Sequence, residues 1–295
     1  DFALWKARKP EDGDNWWESP WGPGRPGWHI ECSAMSTNCL GEHFDIHGGG
    51  MDLKFPHHEN EIAQTEAYTG KIAVNYWMHN GFVNVINDET DEEEKMSKSL
   101  NNFFTVRDIL KLYQAEEIRF FILNSHYRSP LNYSKDSLEN GKAALTTLYT
   151  ALRDVNINDD YRYLPDSKDE YDSGFRLALD DDFNTVSAIA VLFDIAHKLN
   201  RSKQEAELET ASRLAAQLIG LGLILGLLQT SAETFLQQGV ESTDGLSASE
   251  IDALIQERDQ ARADKNFEQA DKIRQQLDDL GIILEDNPNG TSWRK

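Results

Sequence analysis

A chain of 295 residues with 39% apolar and 27% charged side chains is long enough for about two domains with buried cores, and it is not a disordered polymer. No apolar run approaches the roughly 18 residues of a membrane span, and Asp1-Phe2-Ala3-Leu4-Trp5-Lys6 lacks the basic and apolar regions of a signal peptide, so no membrane partner is expected. The net charge of −22 argues against tight non-specific nucleic-acid binding without excluding a local basic strip, and two cysteines, Cys32 and Cys39, are too few for a disulfide framework and suit a reducing cytosol.

Residues 1–27 are rich in Trp, Pro and Gly and read as loop, with Trp16 and Trp17 as its anchors. Trp28-His29-Ile30-Glu31-Cys32 then carries a thiol, expected to arrive from a strand, with a helical turn or helix over 32–40. His43–His47 reads as a buried strand that runs into Gly48-Gly49-Gly50, where a backbone can approach a ligand closely. Pro56 predicts the first position of a helix and Gly70 its stop. On that helix His57 and Glu61 lie four residues apart and share a face. Together with the Cys32 thiol they offer S, N and O donors suited to Zn²⁺. Spacing alone does not decide this, because such a His–Glu pair is more often a solvated helix pair.

Gly81–Ile86 alternates like a strand, and six carboxylates follow between Asp88 and Glu94. Lys95-Met96-Ser97-Lys98-Ser99 then places two lysines and two serines where they can close over polyphosphate. Thr105 reads as the cap of one helix carrying Val106, Ile109, Leu110, Tyr113 and Ile118. Helical patterns recur at 136–153, 184–200 and 204–228, joined by polar loops such as Asp159–Asp172, and predict an antiparallel bundle. Gly239–Leu246 reads as a linker, and Ser247 with Glu250 as a capping box. A helix from Asn266 to about Leu280 follows, then a hairpin turning at Asn287-Pro288-Asn289-Gly290. Near its end Trp293 and Arg294 suit stacking on, and hydrogen bonding to, an unpaired base.

Lys95–Ser99 resembles the signature loop of class I aminoacyl-tRNA synthetases. The strings Gly27–Met35, Phe44–Leu53 and Phe55–Gln64 resemble the cysteinyl-tRNA synthetase family within that class. The resemblance continues in order through His126–Tyr133, Asp180–Thr185 and Gly281–Arg294, over essentially the whole chain. It implies an α/β fold, the C-terminal half of a Rossmann-type catalytic domain, followed by an all-α helical bundle and a small α+β anticodon-binding domain. The corresponding divisions are residues 1–90, 91–132 with the signature loop, 133–240 and 241–295.

The implied activity joins cysteine and ATP into cysteinyl-adenylate, with Mg²⁺ accompanying the ATP, and then passes the cysteinyl group to the 3′ end of tRNA(Cys). Cys32, His57 and Glu61 match the last three of four zinc ligands, the metal gripping the substrate thiolate and so rejecting serine. Trp28 and His47 match the lining of the amino-acid pocket and Asp52 a polar contact there. Lys98 matches the lysine that steadies the ATP phosphates, with Lys95, Met96, Ser97 and Ser99 in the same loop. Trp293 and Arg294 become candidate anticodon readers. A cytoplasmic monomer is implied.

The chain departs from the family pattern in two ways. It contains no His-Ile-Gly-His type motif and no match to the first zinc cysteine, and Cys39, seven residues from Cys32, is no substitute. These 295 residues alone are therefore expected neither to activate cysteine nor to hold zinc tightly. The second departure is local: Asn101 stands where glycine is common, after an acidic loop longer than usual. Rival readings are the family's relative that joins cysteine to an amino sugar in mycothiol synthesis, and a non-catalytic tRNA-binding fragment. A zinc hydrolase is disfavoured, since His57-x-x-x-Glu61 lacks the second histidine of a metalloprotease helix.

Overall fold

A computed structural model describes residues 3–86, 93–95, 105–156, 163–237, 246–287 and 290–294, with 93–95 and 287 described in backbone only. The chain forms two compact units, the first within Asp1–Asn84, Glu93–Lys95 and Tyr127–Asn132, the second holding most of the rest.

In the first unit the segment expected to be loop folds an antiparallel ribbon, β1 (Trp5–Ala7) against β2 (Gly24–Pro26), in register Trp5↔Pro26. The Arg8 guanidinium lies 4.1 Å over the Trp16 ring, an anchoring contact of the cation–π kind. Helix α1 (Trp28–Leu40) begins before the expected position and takes in Cys32, which is therefore a helical thiol and not a strand one. Two features start it there. Gly27 holds an extended N-cap backbone where any Cβ would collide with Ala3 O, and His29 and Ser33, one turn apart, share the buried face.

Strand β3 (Phe44–Gly50) pairs in parallel with β4 (Val74–Asn80), from Phe44↔Val74 to Gly50↔Asn80, and α2 (Glu59–Thr69) makes the crossover between them. The sequence signals hold at both ends of α2. Phe55 is extended (φ −136°, ψ 130°) and helical backbone begins after it, at Pro56. Gly70 takes φ +70° and its N–H closes on Glu66 O at 2.8 Å. β3 itself is less buried than expected, since Ile46 and its register partner Tyr76 are 55% and 67% exposed. Short strands β5 (Val83–Ile86), β6 (Glu93–Lys95) and β7 (Leu131–Tyr133) follow, and Leu131 N–H donates to Phe82 O at 2.8 Å.

The second unit opens with α3 (Val106–Ile109) and α4 (Ala115–Leu123), where one helix was expected. Thr105 caps the first as predicted, Oγ1 accepting Asp108 N–H at 3.2 Å. The break follows from Gln114, whose N–H donates to the Glu117 carboxylate at 2.8 Å and starts a fresh helix. Helices α5 (Lys135–Leu152), α6 (Glu170–Asp180), α7 (Thr185–Gln204), α8 (Leu208–Ile224) and α9 (Ala232–Gln237) then enclose a core that includes Phe120, Tyr149, Leu192, Ile195, Leu214 and Leu218. α6 was not foreseen, because its charged first turn continues a polar stretch. Asp169 caps it, Oδ1 accepting from Tyr171 and Asp172 N–H at 2.9 and 3.2 Å, and Phe175 is its buried residue in the core.

The end of the chain matches its reading closely. Ser247 and Glu250 form the predicted capping box of α10 (Ala248–Ala263), and α11 (Phe267–Asp279) leads to the hairpin β8 (Ile283–Asn287) and β9 (Gly290–Arg294). Residues 288 and 289 of the expected turn lie outside the described residues. The Arg258 fork meets both Asp286 oxygens at 2.9 Å, and that bond chiefly holds the Asp286 pKa down at about 2. A carboxylate depressed in the folded state stabilises above its unfolded value of 3.8, and the contribution is lost as pH falls from about 4 to about 2. With Asp286 42% exposed, solvent screening reduces the effect to on the order of 1 kcal/mol. Urea titrations at pH 6 and pH 2.5 are expected to show that much more acid loss in the native chain than in Asp286→Asn.

Candidate functional site

The site grows from the packing of α1 on α2 beside the end of β3. α1 contributes His29 and Cys32, α2 and the turn before it contribute His57, His58, Asn60 and Glu61, and the two strands contribute His47, Trp77 and His79. Gly49 is required here, because a Cβ on it would press against the His58 ring and Leu53 Cδ1. At Gly50 a Cβ would meet only the exposed Asp52 carboxylate, which can turn aside. The glycine run thus lets β3 pass close to the histidines.

Burial pushes both the Cys32 thiol and the Glu61 carboxyl up from their ordinary pKa values, and the nearby Glu61 carboxylate raises the thiol further. Glu61 Oε2 also lies 3.6 Å from His47 Nε2. His47 stacks on Trp77 at 4.6 Å, and its ring centre is 4.6 Å from that of His58. His58 Nδ1 meets His79 Nε2 at 2.9 Å. Burial, reinforced by His47, His79 and His57, lowers the His58 pKa to about 4, and burial lowers His47 and His79 as well. These imidazoles are therefore neutral near pH 7 and available as nitrogen donors.

His57 sits apart from that group. Asn60 Nδ2 donates to His29 Nδ1 at 3.3 Å, which leaves the His29 proton on Nε2 to bridge to His57 Nδ1 at 3.1 Å. The Trp28 ring packs on His57 at 4.6 Å and is 60% exposed. Of the expected ligands, then, Glu61 lies in the cluster with the Cys32 thiol in its electrostatic reach, while His57 faces His29 and Trp28. The three donors that converge within 4.8 Å among the described residues are His47, His58 and Glu61.

His58 was missed although it stands three residues before Glu61, a spacing that also shares a helix face. His29, Trp77 and His79 carried no sequence signal, since only tertiary packing gathers them. Of the expected pocket residues, His47 is in this cluster, Trp28 borders it, and Asp52 instead lines a 660 Å³ cleft with Met51, Lys54, Phe55 and Glu59. Met96, Ser97, Lys98 and Ser99 lie outside the described residues, and Lys95 is described only as the last backbone position of β6.

The expected base-stacking residue is corrected by the hairpin. Trp293 is 3% exposed, packs with Ile251, Ile255, Ile273, Leu277 and Ile282, and donates Nε1–H to Asp252 at 2.9 Å. It is a core side chain whose polar edge is satisfied. Arg294 is partly exposed, with Nε on Glu285 Oε1 at 2.9 Å.

Family models match along the chain in three successive blocks: the class I (C) tRNA synthetase catalytic domain over residues 1–143, the DALR domain over 174–229, and the cysteinyl-tRNA ligase anticodon binding domain over 243–294. The cysteine–tRNA ligases of Methylococcus capsulatus and Yersinia pseudotuberculosis are 57% and 54% identical over all 295 residues. The chain belongs to the cysteine–tRNA ligase family. It spans 61% of the length of these relatives, and of the Thioalkalivibrio sulfidiphilus cysteine–tRNA ligase, 58% identical over 296 aligned positions. The structure resembles that of a chain in the LeuRS–tRNA–LeuAMS ternary complex of Agrobacterium radiobacter K84, with a TM-score of 0.50 over 74% of this chain and 33% of that one. At 14% identity that likeness speaks for the fold alone. The cysteine–tRNA ligase fold is therefore present here as a portion of the α/β catalytic domain followed by helical and anticodon-binding parts.

Zinc, which the family implies, fits the residues present. A buried carboxylate flanked by neutral imidazoles, with a thiol close enough to feel its charge, is an anionic donor set of the S/N/O type that Zn²⁺ prefers.

Proposed function

We propose that the protein to which this chain belongs ligates cysteine to tRNA(Cys) through cysteinyl-adenylate. The single observation that carries this reading is the convergence of His47, His58 and Glu61 within 4.8 Å, with the Cys32 thiol in the electrostatic reach of Glu61, inside the block that matches a class I (C) catalytic domain. Cys32, Glu61 and His57 would hold Zn²⁺, with His47 and His58 next to Glu61. When bound, the metal supplies a Lewis acid that selects a thiolate over a hydroxyl.

The chain's own residues supply the rest. Trp77, stacked on His47, gives the site one apolar wall, and the exposed Trp28 ring borders it against His57. His47 stands 3.6 Å from Glu61 and is held flat by its stack on Trp77, which suits the role of lining the amino-acid pocket. Asp52, in its cleft with Lys54, offers a carboxylate to an ammonium or a ribose hydroxyl. Lys98, with Lys95, Met96, Ser97 and Ser99, places positive charge on ATP phosphates accompanied by Mg²⁺. Arg294 offers its fork to an anticodon base. The division into residues 1–90, 91–132, 133–240 and 241–295 assigns these roles to successive parts, and a cytoplasmic monomer completes the reading.

The test is a chimera in which the Methylococcus capsulatus ligase supplies the portion that this chain does not match. It is expected to give cysteine-dependent ATP–pyrophosphate exchange and to charge tRNA(Cys), whereas the 295-residue chain alone gives no exchange. An inactive chimera that folds and holds zinc, alongside an active intact relative, would refute the proposal.

A further inference from the structure

At the foot of α5, Arg153 is a cation only 3% exposed in its side chain. Its five guanidinium hydrogens have five acceptors on two separate elements. Nε donates to Glu233 Oε1 at 2.9 Å and Nη2 to Glu233 Oε2 at 3.5 Å, on α9. Nη1 donates to Glu285 Oε2 at 2.8 Å and to Ser292 Oγ at 3.1 Å, and Nη2 to Trp293 O at 3.0 Å, all on the β8–β9 hairpin. The arginine's own carbonyl accepts from Lys203 Nζ at 2.6 Å, which fixes the α5 end to α7. A buried arginine satisfied this completely is pinned from every side, so it holds whatever it touches.

One of its partners is shared. Glu285 gives Oε2 to Arg153 at 2.8 Å and Oε1 to Arg294 Nε at 2.9 Å. The orientation of the Glu285 carboxylate, and with it the direction in which the Arg294 fork points, is set by a side chain of the helical bundle. Arg294 has only Nε engaged among the described contacts, so its two terminal nitrogens are presented as a unit. A planar fork held in one orientation reads a base edge with less entropy loss than a freely rotating one.

We infer that Arg153 is a positioning residue for anticodon discrimination, aiming Arg294 through Glu285. The inference rests on the proposed tRNA reading and names a part of it that lies outside the anticodon-binding block itself. Lysine at 153 keeps the charge but has three donors at one point for five acceptor atoms spread over α9 and the hairpin.

The experiment compares the 295-residue chain with Arg153→Lys, Glu233→Gln and Glu285→Gln. Binding is measured to an anticodon stem-loop RNA carrying GCA, and to the same loop with one base altered, at fixed low salt. The native chain is expected to prefer the GCA loop about tenfold. Arg153→Lys and Glu285→Gln should bring that preference to about twofold or less, chiefly by weakening the GCA loop. Glu233→Gln alters the exposed end of the clamp and should give about a threefold loss without risk to the fold. In ¹⁵N spectra the Arg294 Nε–Hε signal should shift and exchange faster in Arg153→Lys, a change that general loosening of the bundle would not confine to this resonance. A native chain with no preference would overturn the tRNA reading and this inference together. A native preference that survives in all three variants would overturn this inference alone.

Discussion

Replacing Glu61 by Gln is expected to lower the affinity of the chain for Zn²⁺ roughly a hundredfold or more, with no loss of fold. Glu61 is 7% exposed and is the one residue common to the expected ligand set and to the group that converges in the structure. Its carboxylate is the anionic oxygen donor of both. Glutamine has the same shape but no charge, so the metal loses attraction while the packing against α1 survives. Burial already disfavours the ionised carboxyl, which makes a neutral amide near-neutral or mildly stabilising in the metal-free chain. Competition against a chromophoric chelator at pH 7.5 gives the affinity, and thermal melts in EDTA give the stability. Unaltered zinc affinity would remove Glu61 from the centre.

The same assay separates the histidines. His57→Asn is expected to match the Glu61→Gln loss, and His58→Asn to cost about 10- to 100-fold, the range typical of residues that orient ligands. The argument is one of access. His58 is 4% exposed, is hydrogen-bonded to His79 and is wedged against Gly49, whereas His57 is held only by His29 and the exposed Trp28 ring among the described contacts and is free to turn toward a metal.

Which parts were legible follows from how local their causes are. α5, α7, α10, α11 and the final hairpin could be read because an apolar period, a cap and a turn each sit within a few residues of one another. The division of α3 from α4 could not, since Gln114 and Glu117 look like ordinary helix residues until their reciprocal bond is seen. Helix α1 was assigned partly to a strand because what starts it is a steric fact about Gly27 and Ala3, far apart in sequence.

At the site, Cys32 and Glu61 were found through spacing and resemblance. His79 is brought in by the parallel pairing of β3 with β4 and His29 by the packing of α1 on α2, which no local pattern encodes. Trp293 shows the opposite failure. Its register partner is Leu284, and an apolar pair directly opposed across a hairpin marks an inward face. That pairing was available in the sequence and outweighs the appeal of a Trp–Arg dipeptide as a base platform.

The largest stability effect is expected at Tyr149. The ring is fully buried, stacks on Phe235 at 4.0 Å, and donates its hydroxyl to both Glu116 oxygens at 3.0 and 2.8 Å. Glu116 also accepts the Leu228 N–H at 2.6 Å, so this one carboxylate ties α4, α5 and the end of α8 together. Tyr149→Ala removes the stack and leaves a cavity, at about 3–5 kcal/mol. It also takes a donor from a carboxyl that burial already pushes up, so the upper end of that range applies. Tyr149→Phe keeps the ring and loses only the hydroxyl, at about 1–3 kcal/mol. A unit of this size should melt about 10 °C lower in Tyr149→Ala and a few degrees lower in Tyr149→Phe. Adding Glu116→Gln to Tyr149→Phe should recover part of the loss, because a neutral amide needs no such donor, and a double variant less stable than the sum of the singles would show that Glu116 acts through Leu228 instead.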